Sequence, residues 1–335
     1  MAQRPAEQKT VLSLDIGHQN IKAIVTETEG ENFVCHRAAV IEVPRKEENA
    51  FLSEFLDAVK KELTPWKFDH HGVRVCLSGD SVTVRFIQVP NITKAQLLSN
   101  ISYESSKYIP FPLKDTYFDC DVFPPSGGAQ ETKTTAVIAA AKRDAVGNVA
   151  KILHAMGFYA QLLDVSPVAL FNAFEVFGTR DGTSGSTFAI LDVGSRKSHL
   201  GIVHEGTPAF ARDLDVGGSA IDLVNAKAAT DKEGPTASND PAGIFHRLAD
   251  EIRNSLRFFE AQQGTTSSSM VVTGGGALIG GLPGVLQQVL EIPVSVWNPF
   301  DSPRIRLGQD AVGSRSQGPI FGVCLGLVAR TVELG

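Results

Sequence analysis

The chain has 335 residues, 31 Lys+Arg against 37 Asp+Glu for a formal net charge of −6, and 43% hydrophobic residues. That length suits about two domains of ~150 residues, its apolar share excludes a disordered polyelectrolyte, and its acidic balance argues against a dedicated nucleic-acid binder. No apolar run reaches the ~20 residues of a membrane-spanning helix, the opening MAQRPAEQKT is too polar for a signal peptide, and the scattered Cys35, Cys76, Cys120 and Cys324 read as reduced cytosolic thiols rather than metal ligands.

In chain order, Val11–Val25 (VLSLDIGHQNIKAIV) is an apolar strand, an Asp-x-Gly turn and a second apolar strand. Ala50–Leu63 has its apolar residues at helical spacing. Val73–Leu77 and Val82–Val89 read as strands. A helix capped by Thr93 runs to Tyr108, where Pro110 and Pro112 stop it. Tyr117–Phe123 and Thr134–Ala141 form a strand pair around the loose loop PPSGGAQETK, and Asp144–Met156 is a helix ended by Gly157. Phe188–Val203 (FAILDVGSRKSHLGIV) then repeats the first hairpin about half a chain later, followed by a strand ending at Gly217–Gly218. Ala228–Gly243 reads as a surface loop, Ile244–Gln262 as a long amphipathic helix, and Met270–Thr273 as a strand feeding Gly274–Gly276. Leu282–Leu290 is a helix, Pro293–Trp297 a strand, and Ile320–Val332 a closing helix of small and apolar residues.

The chemistry lies in the repeat. An Asp-x-Gly turn at a strand end offers successive backbone N–H groups to an anion, glycine admits close approach, and the aspartate can hold Mg²⁺ beside a phosphate. Two such turns facing each other would clamp a triphosphate. The segment Val271–Leu290 (VVTGGGALIGGLPGVLQQVL) gives a bare backbone at Gly274–Gly276 against which a purine or ribose could lie. It lacks the G-x-G-x-x-G spacing of a dinucleotide fold, and the chain has no Walker motif. His70-His71 reads as a solvated turn, and Trp66 and Trp297 as core or interface anchors rather than cofactor stackers.

These three elements resemble the phosphate-1, phosphate-2 and adenosine motifs of the actin-like ATPase superfamily. Residues 82–123 and the string Tyr108-Ile109-Pro110-Phe111-Pro112-Leu113 are similar to the inserted subdomain of the PilM family of type IV pilus assembly proteins, relatives of FtsA. TTAVIAAAKRDAVGNVAKILHAMGF and LADEIRNSLRFFE extend the likeness across nearly the whole chain. The resemblance implies an α/β actin-like ATPase fold with two duplicated domains around a nucleotide cleft. Domain 1 (1A) takes residues 1–81, 161–184 and 310–335, an inserted 1C (SHS2-like) subdomain 82–160, and domain 2 (2A/2B) 185–309. Val165–Phe174 and Ile320–Val332 would be the helices crossing between the halves.

It implies ATP or ADP with Mg²⁺, held by Asp15, Gly17, His18, Gln19, Asn20 and Lys22 in the first hairpin. Asp192, Gly194, Ser195 and Arg196 would serve in the second, and Gly274, Gly275 and Gly276 at the nucleoside, with Asp15 and Asp192 as the metal-linked carboxylates. The first turn carries His18-Gln19-Asn20 where the family has small hydroxyl residues, and the second carries Arg196 and Lys197. Ser166-Pro167 stands where many of these ATPases have a polar group that orients water, and serine is a poor general base without a partner. A weak ATPase at most is expected.

The implied role is a cytoplasmic scaffold, peripheral at the inner membrane through its partner. It would dock the tail of a PilN-like membrane protein at Tyr108, Ile109 and Phe111, and meet a PilO-like protein only indirectly. FtsA's C-terminal amphipathic anchor is not matched by the final TVELG. Two alternatives stay open. One is a small-molecule kinase of the same superfamily, with Asp164 or Asp213 as base; the other is a scaffold without nucleotide.

Overall fold

Near-continuous apolar runs dictate central strands buried on both faces, and alternating ones a sheet with a single packed face; the described residues form three sheets of these kinds. The structure, a computed structural model, describes residues 10–17, 19–42, 57–66, 72–124, 132–178, 187–220 and 241–330. The expected His70-His71 turn, the start of the Ala50–Leu63 helix and most of the 228–243 loop lie outside them. The chain divides into two units, one of residues 1–78, 144–178 and 298–335, the other of 79–143 and 179–297.

The first unit is built on a six-stranded sheet in the order β14-β3-β2-β1-β4-β8. Its strands are β1 (Thr10–Ile16), β2 (Asn20–Glu29), β3 (Asn32–Glu42), β4 (Val73–Leu77), β8 (Ala160–Val165) and β14 (Ile305–Leu307). β1, β2 and β3 run antiparallel, while β4 joins β1, and β8 joins β4, in parallel. Residues 57–63 are helical and bury Val59 and Leu63. Helix α2 (Arg143–Ala155) belongs here apart from its first residue.

Helices α3 (Ser166–Phe177) and α6 (Gly322–Ala329) lie against each other, with Cys76, Ala169, Val323 and Leu327 in one buried cluster. Their approach is close enough that a Cβ on Gly326 would sit 1.7 Å from the Ala169 carbonyl oxygen. Arg74 holds the end of α6, its guanidinium donating to the carbonyls of Leu327, Val328 and Arg330 at 2.7, 3.2 and 2.9 Å. Those are carbonyls that a helix C-terminus leaves without intrahelical partners.

In the second unit a five-stranded sheet has the order β11-β10-β9-β12-β13. The strands are β9 (Thr187–Val193), β10 (Ser198–His204), β11 (Thr207–Leu214), β12 (Met270–Thr273) and β13 (Val294–Val296). One face packs on α4 (Pro241–Gln263) and α5 (Leu282–Leu290) through Leu191, Val193, Leu248, Ile252, Phe259 and Leu286. The order β11-β10-β9-β12-β13 copies β3-β2-β1-β4-β8 strand for strand, antiparallel then parallel. The sequence repeat is therefore a repeat of topology.

A three-stranded antiparallel sheet, β5-β7-β6, completes this unit: β5 (Val82–Pro90), β6 (Thr116–Val122) and β7 (Lys133–Lys142). Helix α1 (Lys94–Glu104) covers one face, and Thr93 and Gln96 close its first turn as a capping box. α1 stops earlier than expected, giving way to a 3₁₀ turn at Ser105–Lys107 before the prolines. On β6 the register fixes which backbone groups face outward. Phe123 N–H donates to Thr135 of β7, so the alternate residues Thr116, Phe118, Cys120 and Val122 point theirs to the free edge. Asp119 and Asp121 accept from the N–H groups of Cys120 and Val122 at 2.8 and 2.9 Å, and Leu113 carbonyl accepts from Thr116 N–H.

All four cysteines are buried free thiols. Burial pushes Cys35 up to about 12 and Cys120 up to about 11, and raises Cys76 and Cys324 well above the ordinary thiol value. They are packing residues.

Candidate functional site

Strand register places the functional side chains. Asp15 at the end of β1 lies opposite Lys22 on β2 and beside Cys76 on β4, which in turn neighbours Asp164 on β8. The same positions of the second unit are Asp192 on β9, His199 on β10 and Thr273 on β12, with Asp213 of β11 beyond His199. Each sheet thus carries a polar row across its strand ends on one face.

In the first row Asp15, 6% exposed, meets Lys22 with Nζ 3.0 Å from Oδ2. The Gly17 N–H donates to the Asn20 carbonyl at 3.1 Å, closing the turn that carries Gln19 and Asn20, both half-buried. A Cβ on Gly17 would stand 2.9 Å from both the Asn20 oxygen and Lys22 Nζ. His18 lies outside the described residues. Cys324 Sγ donates to the Lys22 carbonyl at 3.4 Å, tying α6 to this hairpin.

The second row sits in a bed of glycines. A Cβ on Gly194 would reach within 2.7 Å of the Lys197 carbonyl oxygen, the counterpart of the Gly17 constraint. Gly218 and Ser219 donate their N–H groups to the carbonyls of Gly194 and Ser195, each at 2.8 Å. Gly274 has φ +82, and a Cβ there would lie 2.1 Å from Asp192 Oδ1, so this carboxylate rests on bare backbone. The turn after β9, the Gly217–Gly218 segment and the Gly274–Gly276 loop thus meet within one unit. Ser195 is half-buried and Arg196 is exposed.

His199 Nδ1 is 2.7 Å from Asp213 Oδ1. Burial pushes the Asp213 carboxyl up, but the hydrogen bond and charge of His199 outweigh it and hold the group below its usual range. Sequence reasoning named Asp213 only as an alternative base and passed over His199. The signal was present in the repeat, since His199 follows Asp192 by the same interval as Lys22 follows Asp15.

The residues present fit a phosphate and a cation. Each hairpin joins a strand-end carboxylate to a turn cleared of side-chain atoms by glycine, and the first supplies an ammonium. Ser166 is buried, its Oγ 3.4 Å from both Cys76 Sγ and the Leu77 carbonyl, so its hydroxyl is used in the core. Asp164 is buried against Arg330 (2.7 Å) and accepts the Val165 N–H.

The expected docking string is divided by the fold. Ile109, 3% exposed, belongs to the core under α1, while Tyr108 and Phe111 keep partial exposure at its margin. Lys142 Nζ lies 4.9 Å from the centre of the Phe111 ring, and the Arg143 guanidinium 4.1 Å from that of Tyr117. Trp66 and Trp297 are buried.

The profile of the family described as type IV pilus assembly protein PilM matches residues 13–228 and 242–332. Among solved structures, the chain is similar to one described as the PilM-PilN type IV pilus biogenesis complex, with 25% identity, 95% of this chain and 97% of that one covered, and a TM-score of 0.76. A Bacteroides thetaiotaomicron protein with actin-like ATPase fold matches at 8% identity over 96% and 98% of the two chains, TM-score 0.49. The activator of 2-hydroxyisocaproyl-CoA dehydratase from Clostridium difficile, bound to ADPNP, matches at 11% over 96% and 93%, TM-score 0.46. No helix among the described residues is long and apolar enough to cross a membrane.

Proposed function

Because this chain belongs to the type IV pilus assembly protein PilM family and has the actin-like ATPase fold, we propose that it is a nucleotide-binding assembly scaffold that docks the cytoplasmic tail of a PilN-like inner-membrane protein. The observation that carries the reading is the duplicated hairpin, an aspartate at each strand end beside a glycine-cleared turn, within a chain matched along almost its full length. Asp15, Gly17, His18, Gln19, Asn20 and Lys22 are the proposed phosphate residues of the first hairpin. Asp192, Gly194, Ser195 and Arg196 are the proposed phosphate residues of the second hairpin, and Gly274–Gly276 offers backbone to the nucleoside. Asp15 and Asp192 are the proposed metal-linked carboxylates, and a bound Mg²⁺ would supply charge neutralisation to the phosphates.

The ligand acts as a conformational effector rather than a fuel, since the Ser166 hydroxyl is committed to the core and a bound nucleotide need only favour one state. Tyr108 and Phe111 offer a partly exposed apolar corner to the tail, and Ile109 supports them from beneath. The protein is cytoplasmic in this reading and reaches the membrane only through its partner. A kinase is less well supported: Asp164 is paired with Arg330, and Asp213 with His199.

Titration calorimetry with Mg²⁺-ATP and Mg²⁺-ADP tests the reading. Saturable binding is expected, weakened about tenfold or more by Asp15→Ala, which removes a charge linked to the metal. Folded wild-type protein without affinity at millimolar nucleotide would sink it.

A further inference from the structure

The second hairpin carries a cation that is already engaged. Lys197 Nζ lies 2.6 Å from Asp80 Oδ1 and 3.3 Å from Asp215 Oδ1. The two carboxylates belong to different connections of the same unit. Asp80 sits in the turn that opens β5, and Asp215 immediately follows β11. The Asp80 turn is the root of the three-stranded sheet: Val82 N–H donates to the Gly79 carbonyl at 3.1 Å, and Lys142 N–H, at the end of β7, donates to Ser81 at 2.9 Å. β5 in turn lies against β11. One ammonium therefore fastens the turn after β9 to both the root of this sheet and the end of β11.

This clamp is built from groups of unequal exposure. The Lys197 side chain is 26% exposed, whereas those of Asp80 and Asp215 are 62% and 81% exposed. The hydrogen bond to Asp80 holds Lys197 above the ordinary ammonium value and Asp80 below the ordinary carboxylate value. A phosphate at the Gly194–Lys197 turn would bring more negative charge to the same ammonium, with better-directed acceptors, than either well-solvated carboxylate.

We propose that Lys197 is a latch between the phosphate turn and the three-stranded sheet: it holds Asp80 and Asp215 when the turn binds no anion, and turns to the phosphate and releases Asp80 when it does. Release loosens the root of the sheet that carries Tyr108 and Phe111, so ligand at the turn and partner at the sheet become linked. The linkage is reciprocal, each changing the other's affinity by the same factor. The release step rests on the phosphate reading given above; the clamp itself does not.

Amide hydrogen exchange on the full chain tests both parts. Without ligand, Lys197→Met and, separately, Asp80→Asn should speed exchange at the Val82 and Lys142 amides by about fivefold, the scale of one surface ion pair, while Lys197→Arg keeps protection. Unchanged exchange in both Lys197→Met and Asp80→Asn overturns the clamp. With Mg²⁺-ADP or inorganic phosphate at saturation by calorimetry, these amides in the wild type should rise to the Lys197→Met level and those of Lys197→Met should not move. The Asp80→Asn, Asp215→Asn double variant should bind Mg²⁺-ADP about fivefold more tightly, having lost its competitors. Binding that leaves exchange unchanged overturns the latch alone. Absence of binding in every variant overturns the phosphate reading and the release step, with the clamp still decided by the ligand-free experiment.

Discussion

Replacing Gly326 by alanine should move stability in the opposite direction from the same replacement at Gly147. Both glycines lie within helices, α6 and α2, where alanine is intrinsically better by about 1 kcal/mol. At Gly147 an added Cβ meets nothing within 4 Å, so Gly147→Ala should stabilise by about 0.5–1 kcal/mol. At Gly326 the same atom would stand 1.7 Å from the carbonyl oxygen of Ala169, 2.4 Å from its carbon and 2.9 Å from its Cα. Relief requires α3 and α6 to separate locally by about 1.5 Å to restore van der Waals distance. The obstacle is backbone on α3 and cannot rotate aside. Overpacking costs about 1–3 kcal/mol in a well-filled core. Loosening of Val323 and Leu327 against Cys76 and Ala169 places this case at or beyond the upper end, leaving a net loss of about 2 kcal/mol after the helix-propensity gain. Urea denaturation followed by far-UV circular dichroism reads both variants on one scale, provided the slope is unchanged. Two midpoints shifted upward alike would refute the close helix crossing.

Turnover of ATP should stay below about 1 per second, since Ser166 offers no free hydroxyl to orient water; a steady-state phosphate-release assay at or above that rate contradicts this. Tyr108→Ala combined with Phe111→Ala should weaken binding of a PilN-type tail peptide about tenfold in fluorescence anisotropy. Mg²⁺-ADP affinity should be left intact, and unaltered tail binding would remove the corner from consideration. Asp213 is held below its unfolded value by His199, so its stabilising contribution is present above pH ~4 and is lost as pH falls through the lower folded value. Asp213→Asn should accordingly flatten the acid limb of a stability–pH profile measured by thermal melting, and an unchanged limb would exclude the pair.

The paired hairpins were legible because each opens with a short, almost continuously apolar and buried strand that breaks at an Asp-x-Gly turn, and the structure repeats their strand order as well. β3 was not read as a strand because His36 and Arg37 interrupt its apolar pattern, a pattern the half-exposed face of this strand does not need. β8 was hidden by Gln161 and Asp164 and by running directly into Ser166-Pro167; β14 has only three residues. At the site, the aspartates and glycines announced themselves by type and spacing. The Lys197 contacts could not: Asp80 is distant in sequence, and only packing of the sheets brings it to the ammonium. Ile109 shows the reverse difficulty, an apolar residue in a distinctive string whose burial is decided by α1 passing over it.

The free edge of β6 has a consequence for what can assemble on this protein. Strand addition requires outward N–H groups that donate to an incoming strand's carbonyls, and along this edge those of Thr116, Cys120 and Val122 are satisfied by Leu113, Asp119 and Asp121. An arriving chain finds carbonyls to donate to but few backbone donors in return, with Asp119 already paired to Lys94 at 3.1 Å. The margin is thereby a poor template for sheet extension by a second copy or by an unrelated strand. In the proposed docking, selectivity for a tail would then rest on side-chain recognition at the aromatic corner, where sequence, rather than mere extendedness, would decide who binds.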